Sequence, residues 1–262
     1  MRIAVHSDLH TEVSQCTLDG LSAVDLLILA GDIGDARSLE VFFTTLREQA
    51  PKLPVIFILG NHEFYTHEFF AAKVMYREIC ARFQVQMLDD EFLYFNDVLI
   101  IGSVLWSDFA LAGEPEISKS WAQMTLPDFR FIGYQQGLFD VDAMQAEHQR
   151  SVLFLEKALK MLARHKLVVS HFLPSALLVA QKHRLAKDGL VRSAYWTSHL
   201  PKLYAQADTW IYGHSHDNIM LSDAGCRFIS NQRGYSRVVN QASAPNYQRD
   251  FAFNLDLENE NE

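Results

Sequence analysis

Cysteine is scarce: Cys16, Cys80 and Cys226 are the only three in 262 residues, and none forms a Cys-x-x-Cys pair. That excludes a disulfide framework and a thiolate zinc site, and makes a reducing cytoplasm the expected compartment. A long hydrophobic run is also lacking; no stretch of about 18 apolar residues occurs, which excludes an ordinary spanning helix and any membrane partner. Met1 to His6 are only briefly apolar and lack the extended apolar region and small-residue cleavage site of a secretion signal. Basic residues are in deficit, 23 against 32 acidic ones for a formal charge of -9. This balance repels polyanions and removes the electrostatic footprint of a nucleic-acid binder, so a small substrate is the expected partner. What is abundant is apolar content, 49% hydrophobic, enough to bury a large core in one domain over residues 1–262.

Short apolar runs that end in Gly, Asp, Asn or His alternate with longer helical patterns, which reads as an α/β chain built of βαβ units. Strands are expected over residues 3–6, 25–30, 55–59, 167–169 and 209–212. Helices are expected over 38–49, 67–83 and 142–164, the last with Val152, Leu155, Leu159 and Leu162 at helical spacing. Asn96-Asp97 and Asp223-Ala224-Gly225 each separate two apolar pieces and read as hairpin turns. Residues 105–140 show no clean period and read as an irregular insertion over the strand ends, and the acidic tail at 256–262 as frayed.

The polar residues at the strand ends carry the chemistry. Asp8 and His10 follow the first strand, Asp32 and Asp35 the second, Asn61 and His62 the third, His171 the fourth, His214 and His216 the fifth. In an open α/β sheet, groups beyond the carboxyl ends of neighbouring strands converge on one crevice. Imidazole nitrogen with carboxylate and amide oxygen suits borderline transition metals, and a carboxylate can bridge a pair of them, for which Asp32 is the candidate. Singly, each residue has an ordinary explanation, such as an Asp capping a helix or an Asn in a turn. Jointly they do not.

Asp8-Leu9-His10, Gly31-Asp32-Ile33-Gly34-Asp35, Gly60-Asn61-His62-Glu63, His171 and Gly213-His214-Ser215-His216 together resemble the signature of the calcineurin-like metallophosphoesterases. The resemblance implies a four-layer αββα sandwich with two central mixed β-sheets. It implies two divalent or trivalent transition-metal ions, Mn placed ahead of Fe, Zn or Ni. One ion would take Asp8, His10, Asp32 and His216, the other Asp32, Asn61, His171 and His214. A metal-bridging hydroxide would then attack a small phosphodiester or phosphomonoester, with His62 protonating the leaving group and Asp35 orienting His62.

A protein Ser/Thr phosphatase is disfavoured because Ala36 follows Asp35 and Leu59 precedes Gly60, where those relatives carry phosphate-clamping arginines. A non-catalytic scaffold is disfavoured because no ligand position is replaced. The remaining histidines, His67, His148, His165, His183 and His199, are assigned to surface or satisfied core positions, and His6 to packing. Glu63 reads slightly better as a first-turn helix acid than as a hydrogen-bond acceptor behind the metals. Arg233, in an Asn-x-x-Gly-Tyr block similar to one in bacterial members, reads as a solvated turn residue rather than a phosphate contact. Lys182, His183, Arg184, Lys187 and Arg192 read as a solvated loop rather than a phosphate-recognising rim. Trp106, Tyr134 and Phe139 read as anchors of the insertion rather than as a stacking platform.

Overall fold

Runs rich in Val, Ile and Leu become strands buried on both faces, as a sheet covered on two sides requires. A computed structural model describes residues 1–255; the expected frayed tail lies outside them. The first half runs β1 (Arg2–His6), β2 (Leu26–Ala30), α1 (Ala36–Gln49), β3 (Val55–Ile58), α2 (Phe69–Arg82), β4 (Gln86–Met87), β5 (Glu91–Phe95) and β6 (Val98–Ser103). The insertion holds α3 (Pro115–Thr125), α4 (Asp128–Phe131) and a small hairpin, β7 (Gly133–Tyr134) with β8 (Gly137–Leu138). Then follow α5 (Val141–Ala158), β9 (His165–Ser170), α6 (Gln181–Arg184), α7 (Gly189–Ser193), α8 (Pro201–Tyr204), β10 (Thr209–Ile211), β11 (Leu221–Asp223), β12 (Cys226–Ile229) and β13 (Ala252–Asn254).

One sheet has the order β13-β1-β2-β3-β4, the other β11-β12-β10-β9-β6-β5. Both are mixed: β13 runs antiparallel to β1, and β5 and β11 antiparallel to their neighbours, while the inner strands are parallel. Side-chain alternation assigns the layers. Ile3, Val5, Ile28 and Ile56 of the first sheet share an apolar cluster with Ile100, Leu167, Val169 and Ile211 of the second. The opposite faces, Leu27, Leu29 and Phe57 on one side and Ile101, Val168 and Trp210 on the other, belong to the cluster that includes the helices. The expected αββα sandwich is therefore the observed one.

Two local expectations are corrected. The third long helix stops at Ala158, and Leu162, expected on its buried stripe, is 90% exposed. Residues 105–140 are not irregular throughout: Pro115 starts α3, whose Ser118 and Ala122 are buried where it packs on α5 and α7. Its small buried residues make a weak apolar period, which is why the pattern was faint. Trp106 and Phe139 are buried as anchors, their rings 5.0 Å apart. Among the described residues no helix is long and apolar enough to cross a membrane.

Candidate metal centre

The ends of β1, β2, β3, β9 and β10 deliver the motif residues to one place. Backbone bonds lock the loops together: Asp8 N donates to Gly31 O (2.9 Å), His10 N to Asp32 O (3.0 Å) and Gly213 N to His171 O (3.0 Å). Asp8, His10, Asp32, His214 and His216 all have positive φ, between 46° and 71°. Left-handed backbone costs a side-chain-bearing residue about 1–3 kcal/mol and persists only where the surroundings over-determine it. Gly60 leaves the room this needs, since a Cβ there would lie 2.2 Å from Asp32 Oδ1.

Behind the loops stands Glu63, fully buried. Its carboxylate accepts from the amides of Gly60 (2.7 Å), Asp32 (3.0 Å), Ile33 (2.8 Å) and Gly34 (3.2 Å). Burial and the neighbouring Asp32 carboxylate push its pKa up to about 7. The first-turn reading of Glu63 is thus corrected: its turn is a short 3-10 segment, and the side chain bonds the loops rather than a helix end.

The metal-type atoms form two groups sharing Asp32. On one side His10 Nε2 is 3.1 Å from His216 Nε2 and 3.8 Å from Asp32 Oδ2, and His216 Nε2 is 3.3 Å from Asp8 Oδ1. On the other, His171 Nε2 is 3.3 Å from both Asp32 Oδ2 and Asn61 Oδ1, and 3.1 Å from His214 Nδ1, which is itself 3.1 Å from Asn61 Oδ1. Ligand atoms lie within 4.8 Å of one another in three overlapping sets, Asp8 with His10 and His216, His10 with Asp32 and His62, and Asp32 with His171 and His214.

Such a donor set calls for a cation. His171 Nδ1 lies 2.9 Å from the carbonyl of Ala30, which can only accept, so that nitrogen carries a proton. In the neutral ring Nε2 is then a lone pair facing two oxygens. Without metal the site compensates by protonation: burial alone would lower the His171 pKa, but Asp32 and Asp8 outweigh it and hold it near 9. A metal ion relieves the same repulsion. His10 is arranged alike, with Nδ1 at 3.0 Å from Glu12 Oε1 and Nε2 turned inward.

His62 lies at the edge of this group, its Nε2 4.0 Å from Asp32 Oδ2 and its Nδ1 3.2 Å from Glu12 Oε1. Burial would depress its pKa, yet Asp32 and Glu12 raise it to about 9. Asp35 does not orient it. That carboxylate is exposed and caps α1, accepting from Ser38 N at 2.8 Å and Ser38 Oγ at 2.7 Å; the place expected for it is taken by Glu12. The Tyr235 hydroxyl lies 2.7 Å from His62 Nε2, and its ring centroid is 4.1 Å from that of His10.

Arg233 is neither solvated nor at a phosphate position. It is fully buried, donating to the carbonyls of Leu9 (2.6 Å), Ser14 (2.8 Å) and Gln241 (2.7 Å), and so ties the loop after β1 to the C-terminal segment. Lys182 and His183 are held by Asp217 at 2.5 and 3.0 Å. Their segment forms α6 and α7, not a free loop. His6 and His148 are buried without access to the metal-type cluster; His6 Nδ1 lies 3.2 Å from Tyr247 Oη, His148 Nδ1 2.9 Å from Leu105 O.

The calcineurin-like phosphoesterase profile matches residues 1–218, the whole span from β1 through the His214 and His216 block. The chain belongs to this family. It is therefore a metal-dependent hydrolase of phosphoric esters. This phosphoesterase is 24% identical over 265 residues to "Uncharacterized protein L509" of Acanthamoeba polyphaga mimivirus, covering 89% of this chain and 91% of that one. Among solved structures it shares its fold with Phosphopantetheinyl Hydrolase (PptH) from Mycobacterium tuberculosis, with TM-score 0.68, 19% identity and 89% of each chain covered. Glu12, Tyr65, Asp128 and Tyr235, to which the motifs gave no role, contact the candidate site residues or one another; Glu12 stands two residues after His10, the one local signal it offered.

Proposed function

We propose that this phosphoesterase holds a pair of transition-metal ions and hydrolyses a small phosphodiester. Asp8, His10, Asp32 and His216 would hold one ion, Asp32, Asn61, His171 and His214 the other. When bound, the pair supplies Lewis-acid neutralisation of phosphate charge and an acidified water nucleophile. The observation that carries the reading is the position of Asp32 Oδ2, within 3.3 Å of His171 Nε2 and 3.8 Å of His10 Nε2, between the two donor groups.

His62 supplies the proton for the leaving alkoxide. Glu12 accepts from Nδ1 and so fixes the ring and favours its charged form, which leaves Nε2 to carry the donated proton. In the resting site Nε2 faces Tyr235, whose hydroxyl marks where a leaving-group oxygen fits. A cleft of about 300 Å³ opens beside the centre, lined by Tyr65, Leu126, Pro127, Tyr195 and Trp196 along with the ligands. Among the described residues its lining has no Lys or Arg, and its His183 is paired to Asp217. Such walls offer no cationic clamp for the extra charge of a monoester dianion and have apolar surface for the second substituent of a diester; this favours the diester and disfavours a protein phosphatase. Three buried, unpaired cysteines fit a reducing, cytoplasmic setting.

Hydrolysis of bis-p-nitrophenyl phosphate and p-nitrophenyl phosphate by protein loaded with Mn²⁺, Fe, Zn²⁺ or Ni²⁺ tests the reading. Turnover of the diester above the monoester, highest with Mn²⁺ and abolished in Asp32→Asn, is expected. Inertness toward both esters with two ions bound contradicts it.

A further inference from the structure

An asparagine carboxamide has two ends of nearly equal size and opposite hydrogen-bonding sense, and only its oxygen end ligates a cation. Asn61 turns Oδ1 toward His214 Nδ1 (3.1 Å) and His171 Nε2 (3.3 Å), while Nδ2 donates to the Tyr65 hydroxyl at 3.0 Å. Tyr65 alone does not select this orientation, because a phenol both donates and accepts. Asp128 removes the choice. The Tyr65 hydroxyl gives its single proton to Asp128 Oδ2 at 3.1 Å, and a hydroxyl has no second proton to offer Asn61. Tyr65 is left as an acceptor, so Asn61 must meet it with Nδ2 and face the histidines with oxygen.

We propose that Asp128 is a positioning residue for Asn61, acting through Tyr65, and that the insertion at 105–140 thereby sets the ligating end of a metal ligand. The inference rests on the reading of Asn61 as a ligand.

The surroundings suit this role. Asp128 is fully buried at the first residue of α4, and the Tyr195 hydroxyl also interacts with its carboxylate. Burial raises the Asp128 carboxyl above the usual carboxylate range, and the hydroxyls of Tyr195 and Tyr65 oppose that rise. The insertion is fastened directly to the segment carrying Tyr65: Thr66 N donates to Phe131 O and Gly133 N to His67 O, both at 2.8 Å. The Tyr65 ring also packs on His62, centroids 4.5 Å apart, which holds the hydroxyl in place from the other side of the chain. Residues distant from the motifs thus reach the centre through one hydroxyl.

Tyr65→Phe and Asp128→Asn test the chain, with Tyr134→Phe as a control that removes an insertion hydroxyl bonded to Glu147 at 2.9 Å instead. The first measurement is made on metal-free, ¹⁵N-labelled protein. The Asn61 side-chain amide protons are expected to exchange slowly in the parent and the control, and to lose that protection in both variants at unchanged melting temperature. The second is a Mn²⁺ titration, in which one of two sites is expected to weaken by about 10–100-fold in the variants, the usual effect of losing an outer partner of a ligand. Tyr65→Phe carries the test by itself should Asp128→Asn fail to fold. Parental amide protection and parental affinity at both sites in Tyr65→Phe overturn the inference. A parent that binds no ion overturns the metal reading instead, while the amide exchange still decides the orienting chain.

Discussion

Glu12 holds His62 by Nδ1 at 3.2 Å, and the same oxygen, Oε1, holds His10 by Nδ1 at 3.0 Å. One carboxylate therefore aligns both the proposed metal ligand His10 and the proposed proton donor His62. Because Nδ1 of each ring is committed to Glu12, Nε2 of each points into the site. His62→Ala is expected to keep both metals and lose about 10²–10⁴-fold in kcat on esters with poor leaving groups, and little on p-nitrophenyl esters. Glu12→Gln should lose about 10–100-fold and also weaken one metal site. Steady-state kinetics on alkyl and nitrophenyl diesters, with metal analysis of each variant, check both; unchanged turnover of the alkyl ester in His62→Ala removes His62 from the chemistry.

Glu63 predicts a stability effect. Replacing it by Ala strands four buried amides, those of Gly60, Asp32, Ile33 and Gly34. Each unsatisfied buried group costs about 1–3 kcal/mol, so several kcal/mol of folding stability should be lost. Urea denaturation of the metal-free protein measures it, and a midpoint within error of the parent contradicts the assignment.

Gly60→Ala acts on one atom. The added Cβ meets Asp32 Oδ1 at 2.2 Å, so the shared carboxylate must move. Loss of metal stoichiometry below two per chain is expected, read by metal analysis after dialysis, with the fold retained by circular dichroism.

His148 predicts a pH dependence away from the centre. Burial lowers its pKa from the ordinary 6.5, against a smaller opposing pull from Asp108, so the folded protein binds fewer protons there than the unfolded chain. The stability this preserves is present above pH 6.5 and is lost as pH falls through 6.5 toward the lowered folded value. His148→Gln, which keeps a donor for Leu105 O, should flatten the decline of unfolding free energy between neutral and acidic pH. A slope equal to the parent's, in metal-free protein, contradicts this.

Much of the site was legible in the sequence because its residues follow strand ends. Asp8, His10, Asp32, Asn61, His171, His214 and His216 stand where a run of Val, Ile and Leu stops, and the chain order of those runs places them side by side. The fold was legible for the same reason. What local reading missed depends on distances the chain does not encode locally. Glu12 reaches His62 across 50 positions, Asp128 reaches Tyr65 across 63, and Tyr235 reaches His62 across 173. Asp35 failed as a partner because an Asp just before a helix finds the first-turn amides closer than any imidazole. Arg233 failed as a surface residue because no single segment supplies its carbonyl partners; Leu9, Ser14 and Gln241 come from two ends of the chain.

Anomalous diffraction from crystals soaked in Mn²⁺ tests the convergence most directly. Two peaks about 3.5–4 Å apart are expected, with the Asp32 carboxylate between them and His171 and His10 on opposite sides. A single peak, or peaks that leave Asp32 uncoordinated, would contradict the account.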